Sequence, residues 1–380
     1  MKAAKTYDVV VLGVGGMGSA AVYHLARRGY DVVGIEQYDV PHSEGSSHGF
    51  TRIIRLPQYE NPSYVPLIRR AFDLWENLDA THPRRLLHRV GSVDIGDPDI
   101  ESIYTGSKRS CAHHNIEHDD LSAAALNDRF PGYEVPDDYR AVYQPDGGFL
   151  HCEQSTVAHV NVAHDHGATV RARERVKGWD EDGDGVTVRT DDRTYQADWL
   201  VVTAGAWTGQ LLPDLSEYLE PERQVLGWFQ PESPELFRPE EFPVFVADIA
   251  EGHYYGFPTF EVPGYKVGKF NHRGETGTPS ELASEPDAED ERLLREFTEQ
   301  YFPEAAGPTM RLSTCMFTNT PDEDFIIDRH PEHDRVVVGA GFSGHGFKFA
   351  SAVGEILADL VADGRTDQPI EPFRIDRLGA

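Results

Sequence analysis

Glycines at 13, 15 and 18, set between two β-branched apolar runs, restrict how the first forty residues of this chain can fold. In YDVVVLGVGGMGSAAVYHLARRGYDVVGIEQYD a valine-rich strand enters a glycine turn, an alanine-rich helix follows, and a second apolar run ends at Glu36. Gly13 permits the tight turn, Gly15 lets a pyrophosphate approach the backbone, and Gly18 brings the helix against the strand. Gly16 and Met17 complete the same turn, and the helix N-terminus faces the phosphates. Glu36, 18 residues beyond Gly18, can accept hydrogen bonds from both ribose hydroxyls, which argues against a 2′-phosphate and so against NADP. The pattern predicts a Rossmann-like α/β dinucleotide domain and does not separate FAD from NAD.

At 380 residues the chain suits two domains. No stretch is long and apolar enough to span a bilayer, and the first strand begins by about Tyr7, leaving no room for a signal peptide. The expectation is a cytoplasmic protein that does not engage membranes. Cys111, Cys152 and Cys315 lie far apart and make no metal-ligand spacing, so neither a disulfide framework nor a structural metal site is expected. A formal charge of −29 disfavours nucleic acid, which needs a basic footprint. Only seven of the 35 basic residues are lysines, and the acids are spread over nearly every surface-like segment. That composition suits concentrated salt, where screening removes self-repulsion. Against so few lysines, Lys266 in a short aromatic segment and Lys348 in a glycine-rich one stand out as site candidates.

A second dinucleotide-domain signal lies in ADWLVVTAGAWTGQLL, where an apolar strand runs into small residues including Gly205, just before Trp207. Ahead of it, residues 166–200 read as strand, hairpin and strand, with Asp182, Gly183, Asp184 and Gly185 as turn chemistry and Val176 at the nucleotide side. Between Gln224 and Gly268 the pattern changes to aromatic-rich alternating stretches bounded by Gly or Pro, which predict an antiparallel sheet. Residues 280–302 have the spacing of a surface helix with a solvated acidic face. The end returns to a buried strand, the turn GFSGHG and a helix starting near Gly346. The expected division is a discontinuous nucleotide domain over 1–85, 145–219 and 315–380, with a substrate domain over 86–144 and 220–314.

Five motifs in one order, GSSHGFTRIIR (Gly45 to Arg55), YYGFPTF (Tyr254 to Phe260), GYKVG (Gly264 to Gly268), TCMFTNTPDEDFIIDRHPEH (Thr314 to His333) and GFSGHGFKFASAVGE (Gly341 to Glu355), resemble the monomeric sarcosine oxidase and N-methyltryptophan oxidase family. These are flavoenzymes of the D-amino-acid oxidase fold group, and the resemblance covers nearly the whole chain. It implies FAD, tethered through an 8α-S-cysteinyl thioether at Cys315, with Gly45 and Ser46 in the cofactor site. It also implies an N-methyl amino acid and O2 as reactants, and a monomer. Arg55 and Lys348 match the positions that hold the substrate carboxylate, a task suited to a guanidinium fork and a second cation. Arg52 matches the arginine near the opposite flavin face, and Lys266 the lysine that activates O2.

Negative charge developing on the flavin needs positive potential beside it, which Gly344, His345 and Gly346 at a helix start would supply. Tyr254 or Tyr255 covers the amine side. Phe50 stands where the family often has an acid, and Phe270 where it has a histidine. His272 either replaces that histidine or sits on a turn, the turn being favoured. The expected reaction is oxidation of a secondary amine to an imine that hydrolyses, with O2 reduced to H2O2. Larger N-methyl or cyclic imino acids, a dehydrogenase with another acceptor, and a flavin-binding module without turnover are the alternatives.

Overall fold

The computed structural model describes residues 5–183 and 185–379; Asp184 of the expected turn lies outside them. The fingerprint strand Lys5–Leu12 pairs in parallel with Val32–Ile35 on one side and Thr194–Val202 on the other. Its Val9, Val10 and Val11 are wholly buried, as a strand covered on both faces requires. Thr169–Arg171 extends the sheet past Val32–Ile35, and Val336–Ala340 joins Thr194–Val202, with Ile326–Arg329 antiparallel at that edge. The hairpin Val176–Asp182 and Gly185–Thr190 continues from Thr194–Val202 as the expected meander. Helices Gly16–Arg27, Cys152–Asp165 and Ala350–Asp363 pack together beside this sheet.

A second sheet of eight strands runs in the order Thr309–Asn319, Glu220–Phe229, Tyr265–Lys269, Gly252–Phe257, Val244–Ile249, Ser92–Gly96, Arg140–Gln144 and Asp119–Ser122. The strands between Gln224 and Gly268 pair antiparallel with one another, as their alternation predicted, and the sheet becomes mixed only where Ser92–Gly96 joins Val244–Ile249 in parallel. The aromatic residues that marked these strands alternate between two environments. One face carries Phe245, Tyr254 and Tyr265 into an aromatic core with Phe297 and Phe302 of the covering segment, Tyr254 stacking on Phe297 at 3.9 Å. The other face carries Tyr255, Phe257 and Trp228 toward the junction with the first sheet.

The covering helix is shorter than its spacing suggested. It spans Ala288–Tyr301 rather than 280–302, because Asp287 accepts from the Glu289 and Asp290 N–H groups as an N-cap just after Pro286. A small third sheet of Thr51–Ile54, Gly148–His151 and Leu87–Arg89 bridges the larger two. Thr51–Ile54 is the element that delivers Arg52 and Arg55.

Candidate active site

The fingerprint turn forms one wall of a cavity of about 380 Å³. Gly13 has φ +85°, and a Cβ there would stand 2.6 Å from the Thr203 carbonyl oxygen, so the turn fits between two strand ends only as glycine. A Cβ on Gly15 would meet nothing within 4 Å, because that position opens into the cavity. Gly18 does not line the cavity; its Cβ would lie 1.8 Å from the Gly13 oxygen, and its smallness seats the helix. Of the residues expected at the cofactor, Gly16, Met17, Glu36, Gly45, Ser46, Arg52, Val176, Gly205, Trp207, Gly344 and Gly346 line it. Glu36 is buried, its Oε2 accepting from Val14 N–H at 2.9 Å and its Oε1 from Tyr38 N–H at 3.0 Å. Those bonds fix the carboxylate and leave lone pairs for hydroxyl donors. Buried His48 has no hydrogen-bond partner on either ring nitrogen among the described residues, and it lines neither this cavity nor the pocket beside it. An open helix start and a fixed carboxylate on the cavity wall fit a bound dinucleotide such as FAD.

Arg52, Phe317, Gly344 and Phe347 are shared with a smaller pocket that continues the cavity. One end of it is charged. Arg55 is buried and stacks on Tyr59 at 4.4 Å, and its Nη2 donates to both Glu60 oxygens at 2.9 and 3.0 Å. Lys348 Nζ lies 3.5 Å from the same carboxylate and His345 Nδ1 3.6 Å from it. Burial draws Lys348 down to about 8, partly offset by Glu60. Burial also raises the Glu60 carboxyl, but Arg55, Lys348 and His345 outweigh it and hold Glu60 below the usual range. Behind Arg55, at 3.8 Å, Asp94 accepts from Ser107 Oγ at 2.6 Å. Neither Glu60 nor Asp94 was anticipated from sequence.

The opposite wall is Val246, Tyr255, Phe257, Phe270 and Phe317. Strand alternation decides between the adjacent tyrosines: Tyr255 faces the pocket, edge-on to Phe270 at 4.9 Å, whereas Tyr254 is in the aromatic core. His272 sits on the turn and turns away, bonding Asp290 at 3.1 Å, so it does not supply the histidine missing at Phe270.

Besides Gly18, two further expected site residues line neither cavity. Lys266 is buried, its Nζ donating to Gly49 O (2.8 Å), Thr51 O (2.8 Å) and Thr51 Oγ1 (3.0 Å) and lying 4.4 Å from the Phe257 ring centre. Burial, then Arg52, lower its pKa well below the ordinary lysine value. Cys315 is a buried free thiol in the cluster with Leu226, Trp228 and Tyr255. Burial raises its pKa, opposed by Arg52 and Lys266.

The expected helix start at Gly346 needs correction. A 3-10 turn, Phe347–Phe349, intervenes, and the α-helix begins at Ala350. The His345 N–H is used within its own turn by Phe342 O at 3.0 Å, and its ring bonds Glu323 O at 3.1 Å. Burial takes that imidazole down to about 4, so His345 is neutral at physiological pH.

Residues 8–360 match the family model of FAD dependent oxidoreductases of the DAO type. The monomeric sarcosine oxidase of Streptomyces avermitilis is 41% identical over 380 residues, covering 99% of this chain and 98% of its own. The N-methyl-L-tryptophan oxidase of Escherichia coli is 35% identical over 380 residues, covering 98% of this chain and 99% of its own. Among solved structures, NikD, an amino acid oxidase of nikkomycin biosynthesis, superposes with a TM-score of 0.85 at 28% identity, over 97% of each chain. The L-proline dehydrogenase of P. horikoshii superposes with a TM-score of 0.85 at 23% identity, over 98% of this chain and 99% of its own, a likeness of fold. A fingerprint cavity leading into a cationic pocket walled by aromatic rings is thus carried on a chain that belongs to the monomeric sarcosine oxidase and N-methyltryptophan oxidase family of FAD-dependent oxidoreductases.

Proposed function

We propose that this protein is an oxidase of N-methyl amino acids, with sarcosine the lead substrate and N-methyltryptophan or a cyclic imino acid such as pipecolate the alternatives. The observation that carries the reading is the pairing of two buried cations, Arg55 and Lys348, with an aromatic wall in a pocket that opens onto the dinucleotide cavity. A carboxylate suits the cations and an uncharged amine suits the rings. Bound FAD supplies the chemistry of hydride acceptance and of electron delivery to O2. Balanced, a secondary amine, O2 and H2O give a primary amine, an aldehyde and H2O2; sarcosine yields glycine and formaldehyde.

In this reading Arg55 and Lys348 hold the carboxylate, Tyr255 covers the amine, and Arg52 provides positive potential beside the cofactor. Lys266 stabilises the negative charge that oxygen acquires on reduction, and Cys315 carries FAD covalently. The protein acts as a cytoplasmic monomer, divided into domains at the boundaries given above. The acidic, lysine-poor surface is an adaptation to concentrated salt. Raising KCl from about 0.1 M to about 3 M should therefore raise its thermal midpoint, since the screening length shrinks several-fold; a midpoint that falls removes the adaptation.

After acid denaturation and filtration, yellow colour and in-gel fluorescence should stay with the chain and move wholly to the filtrate in Cys315→Ser. Flavin in the filtrate of the unsubstituted protein would show noncovalent FAD. In stopped-flow mixing, Lys266→Met should slow reoxidation by O2 by roughly 100-fold or more while leaving reduction by sarcosine within a few-fold. A normal oxygen step in that variant removes the assigned role and favours a dehydrogenase with another acceptor. Lys348 attracts a carboxylate only while protonated, so kcat/KM should fall as pH rises through about 8, the value set by its burial in the free enzyme. Lys348→Arg, charged throughout, should lose that alkaline limb; a profile unchanged in the variant assigns the limb to another group.

A further inference from the structure

We infer that Glu153 is the positioning residue for Lys266, acting through the backbone of residues 49–51. The inference rests on the role proposed above for Lys266. Glu153 lies in the first turn of the helix Cys152–Asp165, with its side chain largely buried. One carboxylate oxygen accepts from Gly49 N–H at 2.7 Å and from Phe50 N–H at 3.1 Å, and the other also accepts from Phe50 N–H at 3.1 Å. The same two residues have positive φ, +89° for Gly49 and +70° for Phe50. Glycine tolerates that conformation, but phenylalanine does so at a cost and only where its surroundings hold it. Glu153 is what holds it, aided by the bond from Cys152 N–H to Phe50 O at 3.0 Å.

The turn so formed aims two carbonyl oxygens and one hydroxyl at a single point. Lys266 Nζ occupies it, 2.8 Å from Gly49 O, 2.8 Å from Thr51 O and 3.0 Å from Thr51 Oγ1. All three ammonium hydrogens are thereby directed. Glu153 touches neither cavity, so it can affect the oxygen step only through this turn and through its charge. The charged and titratable groups facing Lys266 are Arg52 from the strand after the turn, His48 from the turn itself, Cys152 and Glu153 from the helix start, and Cys315 from the strand Thr309–Asn319. Of these Arg52 opposes the ammonium, while Cys152, Glu153 and Cys315 would each support it in their charged forms; burial raises both thiols, whereas Glu153 is held below its ordinary value and supplies the charge. Removing the Glu153 charge lowers the Lys266 pKa further, so the pH at which the protonated lysine is lost also falls.

The test uses flavin-loaded enzyme with Glu153→Gln, Glu153→Ala and, for reference, Lys266→Met. Amide hydrogen exchange read on peptides containing residues 48–52 should quicken in both Glu153 variants. Reoxidation by O2 should fall about 10- to 100-fold in Glu153→Ala, as a displacement near 1 Å at a reacting centre allows, and less in Glu153→Gln, which keeps one acceptor. Reduction by substrate should stay within about 2-fold. The alkaline fall of the oxygen step should move to lower pH in both, a shift that general loosening of the fold would not give. Equal slowing of both half-reactions, or unchanged exchange at 48–52, overturns the inference while leaving Lys266 in place. A normal oxygen step in Lys266→Met overturns the proposed role of Lys266 and this inference with it. Should Glu153→Ala fail to fold, Glu153→Gln alone decides, through its exchange and its pH profile.

Discussion

Positive charge buried at one junction governs the arrangement of this protein. Buried Arg55, Lys266 and Lys348 and the half-buried Arg52 lie about the bridging strand Thr51–Ile54, and a buried cation is costly unless oxygen atoms surround it. Residues 46–51 provide much of that oxygen: Ser46 O and Thr51 O accept from Arg52 at 2.6 and 2.9 Å, and Gly49 O and Thr51 O accept from Lys266. Thr51 O serves both cations, and Gly49 O, on the other side of Phe50, must turn toward the same ammonium. The positive φ at Gly49 and Phe50 forms the turn that brings both carbonyls onto one ammonium.

The parts legible in the sequence are those whose signal is local. The fingerprint turn is read from glycine spacing because each glycine answers to its immediate surroundings, Gly13 and Gly18 to clashes with Thr203 O and Gly13 O, and Gly15 to the cavity it leaves open. The aromatic segments announce a sheet by alternation, yet alternation leaves the choice between Tyr254 and Tyr255 open until the register is known. It is settled by which face Val244–Ile249 and Tyr265–Lys269 present to the Phe297 helix. The overlong helix expectation has a similar origin. Polar spacing continues through 280–287, but Pro286 and the Asp287 cap decide where the backbone can begin to wind.

Glu60, Asp94 and Glu153 were illegible for a common reason. In LPQYE, SVDIG and HCEQS they are single acids in a chain with 64 of them, and each acquires its role from a segment remote in sequence or from a fold in the loop. Glu153 reads as an ordinary acid in a helical first turn, where it is favoured by the helix dipole alone. Its bonds to Gly49 and Phe50 span about a hundred residues and exist only because Gly148–His151 pairs with Thr51–Ile54. His272 shows the converse: a residue near the right place in sequence whose side chain is claimed by Asp290 on the far side of the sheet.

Two of these acids share Arg55 and are driven in opposite directions. Burial raises both. Glu60 has a two-point bond from Arg55 at 2.9 and 3.0 Å with Lys348 at 3.5 Å, and these hold its carboxyl below the usual range. Asp94 has Ser107 at 2.6 Å and the guanidinium only at 3.8 Å, so for it burial wins and its pKa is raised. Divergence of this kind is what unequal surroundings impose on neighbouring carboxyls. The acid facing the pocket keeps its charge, and the acid behind Arg55 is the one shifted toward neutrality. Two cations set against one firmly ionised carboxylate leave the pocket end locally positive, within a chain whose formal charge is −29. At these separations and in a buried setting the local cations outweigh the screened field of the distant surface acids, so the binding of an anionic group is decided within a few ångströms of Arg55.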